Sequence, residues 1–168
     1  MKSIIKDSCH IYRNLPASLS WAGRIKITTY YKNGKVEVDE FENIITDAGL
    51  NLLRDLLIGE VSDGRIKQIA LGGSNTAPAA GDTALGDEQF RKQVTIQQAD
   101  GTGRAETIAY INPNEANFQI EEIGWFAGAD AAASAGSGVM VARVLYSKNK
   151  TQLESVQIDR VDVFERGV

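Results

Sequence analysis

The dipeptide Asn33-Gly34 constrains the fold of this chain more than any other short stretch. It separates two runs, residues 25–31 and 36–40, in which strand-forming side chains alternate with polar ones. Asn-Gly is a preferred pair for a type I′ turn, because both central residues of that turn need positive φ. A two-residue turn between alternating runs joins antiparallel strands. The sequence therefore predicts a β-hairpin here.

Most of the chain that follows repeats this pattern of strand and turn. Turn-forming residues occur at Asp100-Gly101, 112–114 and 148–150. The strands predicted after the hairpin span about residues 66–71, 89–98, 104–111, 117–126, 138–147 and 155–164. The alternation slips by one residue at Glu121-Glu122 and at Asp159-Arg160, which indicates a β-bulge at each place.

One segment has the period of a helix instead. Leu50, Leu53 and Leu57 recur at i, i+3 and i+7, so they lie on one face of a helix predicted at about 46–58, and Leu52 and Leu56 widen that face. Thr46 suits the N-cap position, where its side chain can accept a backbone N–H. Because the segment has few polar positions, the helix is predicted to be largely buried against a sheet.

Together these elements predict a mainly β fold, an antiparallel β-sandwich of about eight strands with one buried amphipathic helix. Residues 21–168 are expected to form this single β-sandwich domain, since 168 residues suit one domain. Residues 1–20 are predicted to be an N-terminal arm, because their apolar residues follow neither period for long and Pro16 interrupts them. The arm can dock on its own domain or on a neighbouring subunit. Its apolar residues are Ile4, Ile5, Ile11, Tyr12, Leu15 and Leu19.

The charge balance bears on the class of partner. Eighteen basic and 22 acidic residues give a net charge of -4, so there is no electrostatic reason to expect a nucleic-acid partner. No apolar run approaches the ~20 residues that a membrane span needs, and charges interrupt the first residues where a secretory signal would be apolar. We expect a soluble protein made in the cytoplasm, with no membrane partner.

Nucleophilic catalysis finds little support in the residue types. The only cysteine and the only histidine, Cys9 and His10, are adjacent in the irregular arm. Neighbours in sequence do not form a catalytic dyad without further groups that orient them, and one of each cannot complete a structural zinc site. We expect a protein that is not an enzyme and needs no cofactor or metal.

The glycine-rich stretch at residues 72–88 raises a separate question, because such a stretch can bind phosphate or metal. Gly72-Gly73 lacks the spacing of a phosphate-binding loop. Asp82, Asp87 and Glu88 lack the spacing of a calcium loop. A structural loop, in which Asp82 or Thr83 caps a helical turn at residues 83–88, explains more of these residues.

Aromatic residues leave a sugar-binding surface open. Trp125-Phe126, Tyr30-Tyr31 and Tyr110 could stack on sugar rings, if Trp125, Tyr31 and Tyr110 shared one exposed face. Trp125 lies in an alternating strand, where packing in the core is the commoner outcome.

Three motifs in a fixed order resemble a family of tail-associated structural proteins of bacteriophages and prophages, described as tail-fibre, fibre-adaptor or baseplate-associated proteins. The first is "GRIKITTYYKNGKVEVDEFENIITDAGLNLL", a hairpin followed by an N-x-x-T-x-A-G-L-x-L helix entry. The second is "IKQIALGGSNTAPAAGDTALGDEQFRK", and the third combines "ANFQIEEIGWF" with "ARVLY". The resemblance covers about residues 22–165. In proteins of this kind residues 72–88 look like a connecting loop with a helical turn, from which Leu85 reaches the core.

The resemblance implies a non-enzymatic structural component of a phage virion, at the tail tip, baseplate or tail-fibre attachment. Such a protein would be synthesised in the host bacterial cytoplasm, bind other virion structural proteins and form a homo-oligomer, a trimer or ring. The six apolar arm residues are then the candidate assembly interface. Two alternatives stay open: a carbohydrate-binding or receptor-recognition module that contacts a host surface glycan, and a head or neck protein of the collar or decoration type.

Overall fold

The computed structural model describes residues 19–166, which form ten strands and one helix. In chain order the elements are β1 (Leu19–Tyr31), β2 (Val36–Glu42), β3 (Ile44–Ile45), α1 (Asp47–Ile58), β4 (Ile66–Gly72), β5 (Glu88–Gln93), β6 (Ile96–Ala99), β7 (Arg104–Ile111), β8 (Gln119–Ala127), β9 (Val139–Asn149) and β10 (Glu154–Arg166). Sheet A has the order β2-β1-β10-β7-β6, and sheet B has the order β3-β9-β8-β4-β5. All paired strands are antiparallel.

The inward side chains of the two sheets meet in one apolar core. Ile25, Ile27 and Ile158 of sheet A and Ile69 and Ile123 of sheet B are each at most 2% exposed. Side chains alternate across a strand, so these residues line one face of each sheet. The predicted antiparallel sandwich is confirmed.

The strand count rises from about eight to ten for two reasons. The single strand predicted at 89–98 is two strands, β5 in sheet B and β6 in sheet A, so the chain crosses between the sheets at residues 94–95. A short strand, β3, was not predicted, because two residues carry no readable period. The other five strands predicted after the hairpin begin and end within two residues of the prediction.

The predicted hairpin is present, but its turn is not of type I′. Gly34 has a φ of 86°, whereas Asn33 has no positive φ. The N–H of Gly34 donates to the carbonyl of Tyr31 at 2.9 Å, and the N–H of Tyr31 donates to the carbonyl of Lys35 at 2.9 Å. This is a three-residue loop with a type I turn followed by a glycine bulge. Asn33 instead accepts the N–H of Lys35 through its side chain at 3.0 Å.

Of the two predicted bulges, one is confirmed and one is wrong. The register of β8 with β9 shifts at Glu121-Glu122, as predicted. At Asp159-Arg160 the register of β10 runs through without a shift. The pattern slips there because Arg160 and Asp162 point into the sandwich as an ion pair, with Nη2 and Oδ1 2.5 Å apart. Charged residues on a strand are normally expected to face outward, so these two inward charges make the alternation look shifted in the sequence.

Helix α1 begins and ends where the sequence predicts. Thr46 is the N-cap, and its Oγ1 accepts the N–H of Gly49 at 3.0 Å. Gly59 ends the helix in the left-handed conformation with a φ of 78°. Gly49 also sets how the helix packs, because a Cβ at this position would lie 2.8 Å from the carbonyl oxygen of Val141 in β9.

The predicted buried face of α1 is wrong at its centre and right at one side, where Leu52 was predicted to widen it. Leu50 and Leu57 are 48% and 77% exposed, and Leu53 is partly exposed. Gly49 and Leu52 are the buried positions. The close approach at Gly49 fixes the rotation of the helix, so the face carrying Gly49 and Leu52 packs on the sandwich. The helix therefore keeps an apolar exposed side and is not largely buried.

Truncating leucines on the two sides of α1 should separate the buried face from the exposed one. We expect Leu52→Ala to lower the free energy of unfolding by about 2–5 kcal/mol, because a buried leucine leaves a cavity. Leu57→Ala should change it by less than about 0.5 kcal/mol. Urea unfolding of both variants at low protein concentration measures the free energies. Equal losses of stability in the two variants would contradict the observed rotation of α1 about its axis.

Candidate functional site

The residues predicted to form the assembly interface fall almost entirely outside residues 19–166. Ile4, Ile5, Ile11, Tyr12 and Leu15 lie there, as do Cys9 and His10, so their roles stay predictions. Leu19 is described: it opens β1, pairs with Arg166 of β10 and is 65% exposed. Strand β1 thus begins two residues inside the predicted arm. The division into an arm and one domain also stays a prediction.

The glycine-rich loop between β4 and β5, residues 73–87, closes around one buried carboxylate. Glu122 of β8 is fully buried and accepts the backbone N–H groups of Ser74 at 3.3 Å, Gly86 at 3.0 Å and Asp87 at 2.8 Å. Converging amides of this kind bind phosphate in other loops. Here the protein's own carboxylate occupies them, so this arrangement holds the loop in place.

Arg143 of β9 completes the network. Its Nε donates to Glu122 at 2.8 Å, its Nη1 to Asp82 at 2.7 Å and its Nη2 to the carbonyl of Thr76 at 2.9 Å. The Arg143 side chain is only 3% exposed. Asp82 also accepts the N–H of Ala79 at 2.9 Å. This N–H and the Arg143 guanidinium hold the pKa of Asp82 below its usual range.

The same loop covers the outer face of sheet B. Leu85 is 8% exposed and packs with Phe126 and Met140 in a second apolar cluster. Gly124 leaves room for it, since a Cβ there would lie 2.9 Å from Leu85. The predicted structural role of the loop and the burial of Leu85 agree with this arrangement. The helical turn predicted at residues 83–88 is wrong, because no helical residue occurs between β4 and β5 and Asp82 bonds to Arg143 and Ala79 instead.

A second cage of oxygen atoms encloses a side-chain ammonium. Lys150 is 1% exposed, and its Nζ donates to the carbonyls of Glu115 at 2.7 Å and Asn112 at 3.0 Å and to the side chain of Asn117 at 3.2 Å. The ammonium fills a space that in other proteins suits a cation. Among residues 19–166, no group of three or more His, Cys, Asp or Glu side chains is placed to hold a metal ion.

Trp125, Tyr31 and Tyr110 do not share one exposed face, and Trp125 packs in the core as expected. Trp125 is 1% exposed and packs in the core beneath the Arg160 guanidinium, 5.1 Å from its ring centre. Tyr31 donates to Glu37 at 2.5 Å. Tyr110 is 37% exposed on the outer face of sheet A. The strand register places it on the same face as Tyr30, which is 40% exposed.

The outer face of sheet A is open and carries a charged trough of about 580 Å³. Lys26 lies in register between Glu40 and Asp159, so charges of opposite sign are neighbours across the strands. Cross-strand pairs of this kind stabilise a solvated sheet face. The trough is therefore a broad polar surface on the same face of sheet A as the exposed tyrosines.

A smaller, mainly apolar groove lies between α1 and the end of the β1–β10 ribbon, and we call it the helix groove. Its volume is about 170 Å³. Trp21 and Phe164 stack there with ring centres 5.4 Å apart, and Trp21 Nε1 donates to Asp162 at 2.7 Å. The lining residues include Trp21, Leu52, Leu53, Leu56, Val141 and Phe164. Leu50, Leu57 and Ile58 add exposed apolar surface on α1.

Sequence reasoning missed the pairing of Glu122 with Arg143. Arg143 is the one charge in "MVARVLY", and Glu122 belongs to the pair Glu121-Glu122 in "IEEIGWF". Charges of opposite sign in two otherwise apolar strands are a usable signal, because a buried charge has to be paired. The sequence does not show which charges pair.

No helix within residues 19–166 is long and apolar enough to cross a membrane. No protein-family model, no curated protein and no solved structure matches the chain.

Removing the charge of Glu122 should destabilise the protein. Glu122→Gln leaves Arg143 without its buried partner, and breaking such a pair costs about 3 kcal/mol or more. Glu121→Gln is the matched control, because the neighbouring carboxylate bonds only to Gln119 and Ser147 near the surface, and a change within about 0.5 kcal/mol is expected. Urea unfolding measures both, and equal losses would contradict an anchoring role for Glu122.

The lowered pKa of Asp82 predicts a dependence of stability on pH. A carboxyl group whose pKa is lower in the folded state stabilises the protein above its unfolded pKa, about 3.9. That stabilisation is lost as the pH falls through the folded pKa. The difference in free energy of unfolding between the parent and Asp82→Asn should therefore be constant above about pH 5 and shrink below about pH 4. A difference that persists unchanged to the acid end of a urea-unfolding series would refute this.

Proposed function

We propose that the protein is a non-enzymatic structural component of a bacteriophage or prophage virion. It acts at the tail tip, baseplate or tail-fibre attachment, and it works by binding other virion structural proteins and further copies of itself. The ordered resemblance of residues 22–165 to tail-associated proteins carries this proposal. Synthesis takes place in the host bacterial cytoplasm, and the oligomer is a trimer or ring.

The distribution of apolar surface supports an assembly role. Leu57 and Ile58 on α1 are 77% and 64% exposed, and Val36 and Val38 on the outer face of sheet A are 53% and 52% exposed. Exposed apolar patches on a folded domain mark contact surfaces. Two such patches on different parts of one molecule suit head-to-tail contacts, which close into a ring when the rotation allows.

The loops provide further support. The amides of residues 73–87 bind Glu122, and the oxygen cage at residues 112–117 binds Lys150. These arrangements rigidify the sandwich. A rigid domain with exposed apolar patches suits a building block of a larger particle.

A recognition module for host glycans is the second candidate, favoured by Tyr30 and Tyr110 on the exposed face of sheet A that also carries the charged trough. Aromatic rings that flank polar groups can stack on sugars and orient them. A glycan array with the parent and a Tyr30→Ala, Tyr110→Ala double variant tests it. Binding that the double variant loses would favour this role over assembly alone.

Labelling of purified particles tests the leading proposal. Gold-conjugated antibody against the protein should decorate the tail end in electron micrographs, and particles from a host carrying a deletion of the gene should show none. Label at the head or neck would favour the collar or decoration alternative. Absence from the particles, both by label and by mass spectrometry, would overturn a structural role in the virion.

A further inference from the structure

The helix groove has the size and lining of a site for an apolar side chain. Its volume of about 170 Å³ is close to that of cavities of about 150 Å³ that accept benzene. The stacked rings of Trp21 and Phe164 form one wall, and Leu53 and Leu56 of α1 form the other. Outside the groove, Leu50, Leu57 and Ile58 extend the apolar surface along the helix.

The chain enters the described fold beside this groove. Leu19 begins β1 two residues before Trp21, so both side chains lie on the same face of the strand. Residues 1–18 precede it and contain Ile4, Ile5, Ile11, Tyr12 and Leu15. At about 3.3 Å per residue an extended segment of this length spans about 60 Å, which is enough to reach a neighbouring molecule.

We propose that the helix groove binds the segment of residues 4–15 from a second copy of this chain. This inference rests on the proposed assembly role and names the site on the receiving copy. Five apolar side chains in a segment of twelve residues match a mainly apolar groove, because burial removes both surfaces from water.

The backbone near the start of β1 favours the groove of a neighbour over the groove of the same copy. Leu19 is in an extended strand paired with Arg166, and Pro16 favours an extended backbone at Leu15. A two-residue reversal between them would favour Gly, Asn or Asp, and Ala17-Ser18 supplies none of these. The sequence therefore favours a segment that leaves its own groove and reaches the groove of a neighbour. Each copy then donates one segment and accepts another. The weak contacts formed in this way act together and close a ring of copies.

The single cysteine of the chain provides the test. Cys9 lies within the proposed segment, and Gln97 of β6 lines the helix groove. Full-length Gln97→Cys protein, mildly oxidised over a concentration series, should form disulfides between copies, seen as species of two or more times the monomer mass. Gln98→Cys is the matched control, because its side chain is also exposed but points to the opposite face of β6. We expect the control to give at least about tenfold less covalent dimer, because its new cysteine points away from the groove in which Cys9 of the bound segment would lie.

Further outcomes decide the inference in either direction. A disulfide within one copy would show that a chain occupies its own groove and would overturn the exchange. Equal dimer yields from Gln97→Cys and Gln98→Cys, or none from either, would also overturn it. In the Gln97→Cys background, Ile11→Asp should lower the dimer yield about tenfold, because a charge cannot enter the apolar groove. The crosslink is measured on purified protein, whereas the labelling is measured on particles. Either experiment can therefore succeed when the other fails.

Discussion

Glu122 and Arg143 hold residues 73–87 against the outer face of sheet B, and the layered structure depends on this contact. Without the loop, the outward residues Phe126 and Met140 would face solvent. A buried ion pair adds little net stability by itself, because two charges leave water. Its value here is geometric: Glu122 accepts three loop amides, and Arg143 adds a carboxylate and a carbonyl of the same loop. Sheet B is thereby covered on both faces, which explains its long apolar strands.

A second buried ion pair shapes the other end of the molecule. Arg160 and Asp162 lie on the inward face of β10, where Asp162 also accepts the indole N–H of Trp21. The Arg160 guanidinium lies over the ring of Trp125. A guanidinium stacks well on an indole, and the favourable contact offsets part of the cost of burial. The pair fixes Trp21 at the rim of the helix groove, so the shape of the groove follows from charges placed inside the sandwich.

The sequence predicted features that depend on local chemistry. The hairpin at Asn33-Gly34 and the two ends of α1 follow from turn and capping residues that act within a few positions. The centre of the buried face of α1 was predicted wrongly, because the rotation of the helix is set by the contact of Gly49 with Val141, which are far apart in sequence. The sequence did not predict the division of residues 89–98 into two strands for the same reason. The sheet that a strand joins is set by the strands it pairs with, which lie far away in sequence. The helix groove combines residues from seven elements, and no local pattern indicates such a site.

The free edges of the sheets bear on how copies can associate. Strand β2 is an edge of sheet A, and four of its seven residues are acidic: Glu37, Asp39, Glu40 and Glu42. Pairing two such edges would place like charges opposite each other, which destabilises a ladder. On sheet B, β3 has only two residues, and the edge strand β5 has Arg91 and Lys92 already paired with Glu88 and Glu115. Extension of a sheet from copy to copy is therefore disfavoured at these three edges. Association through the apolar surface of α1 and the helix groove meets no such repulsion. The groove is lined mainly by uncharged side chains, and its one carboxylate, Asp162, is paired with Arg160.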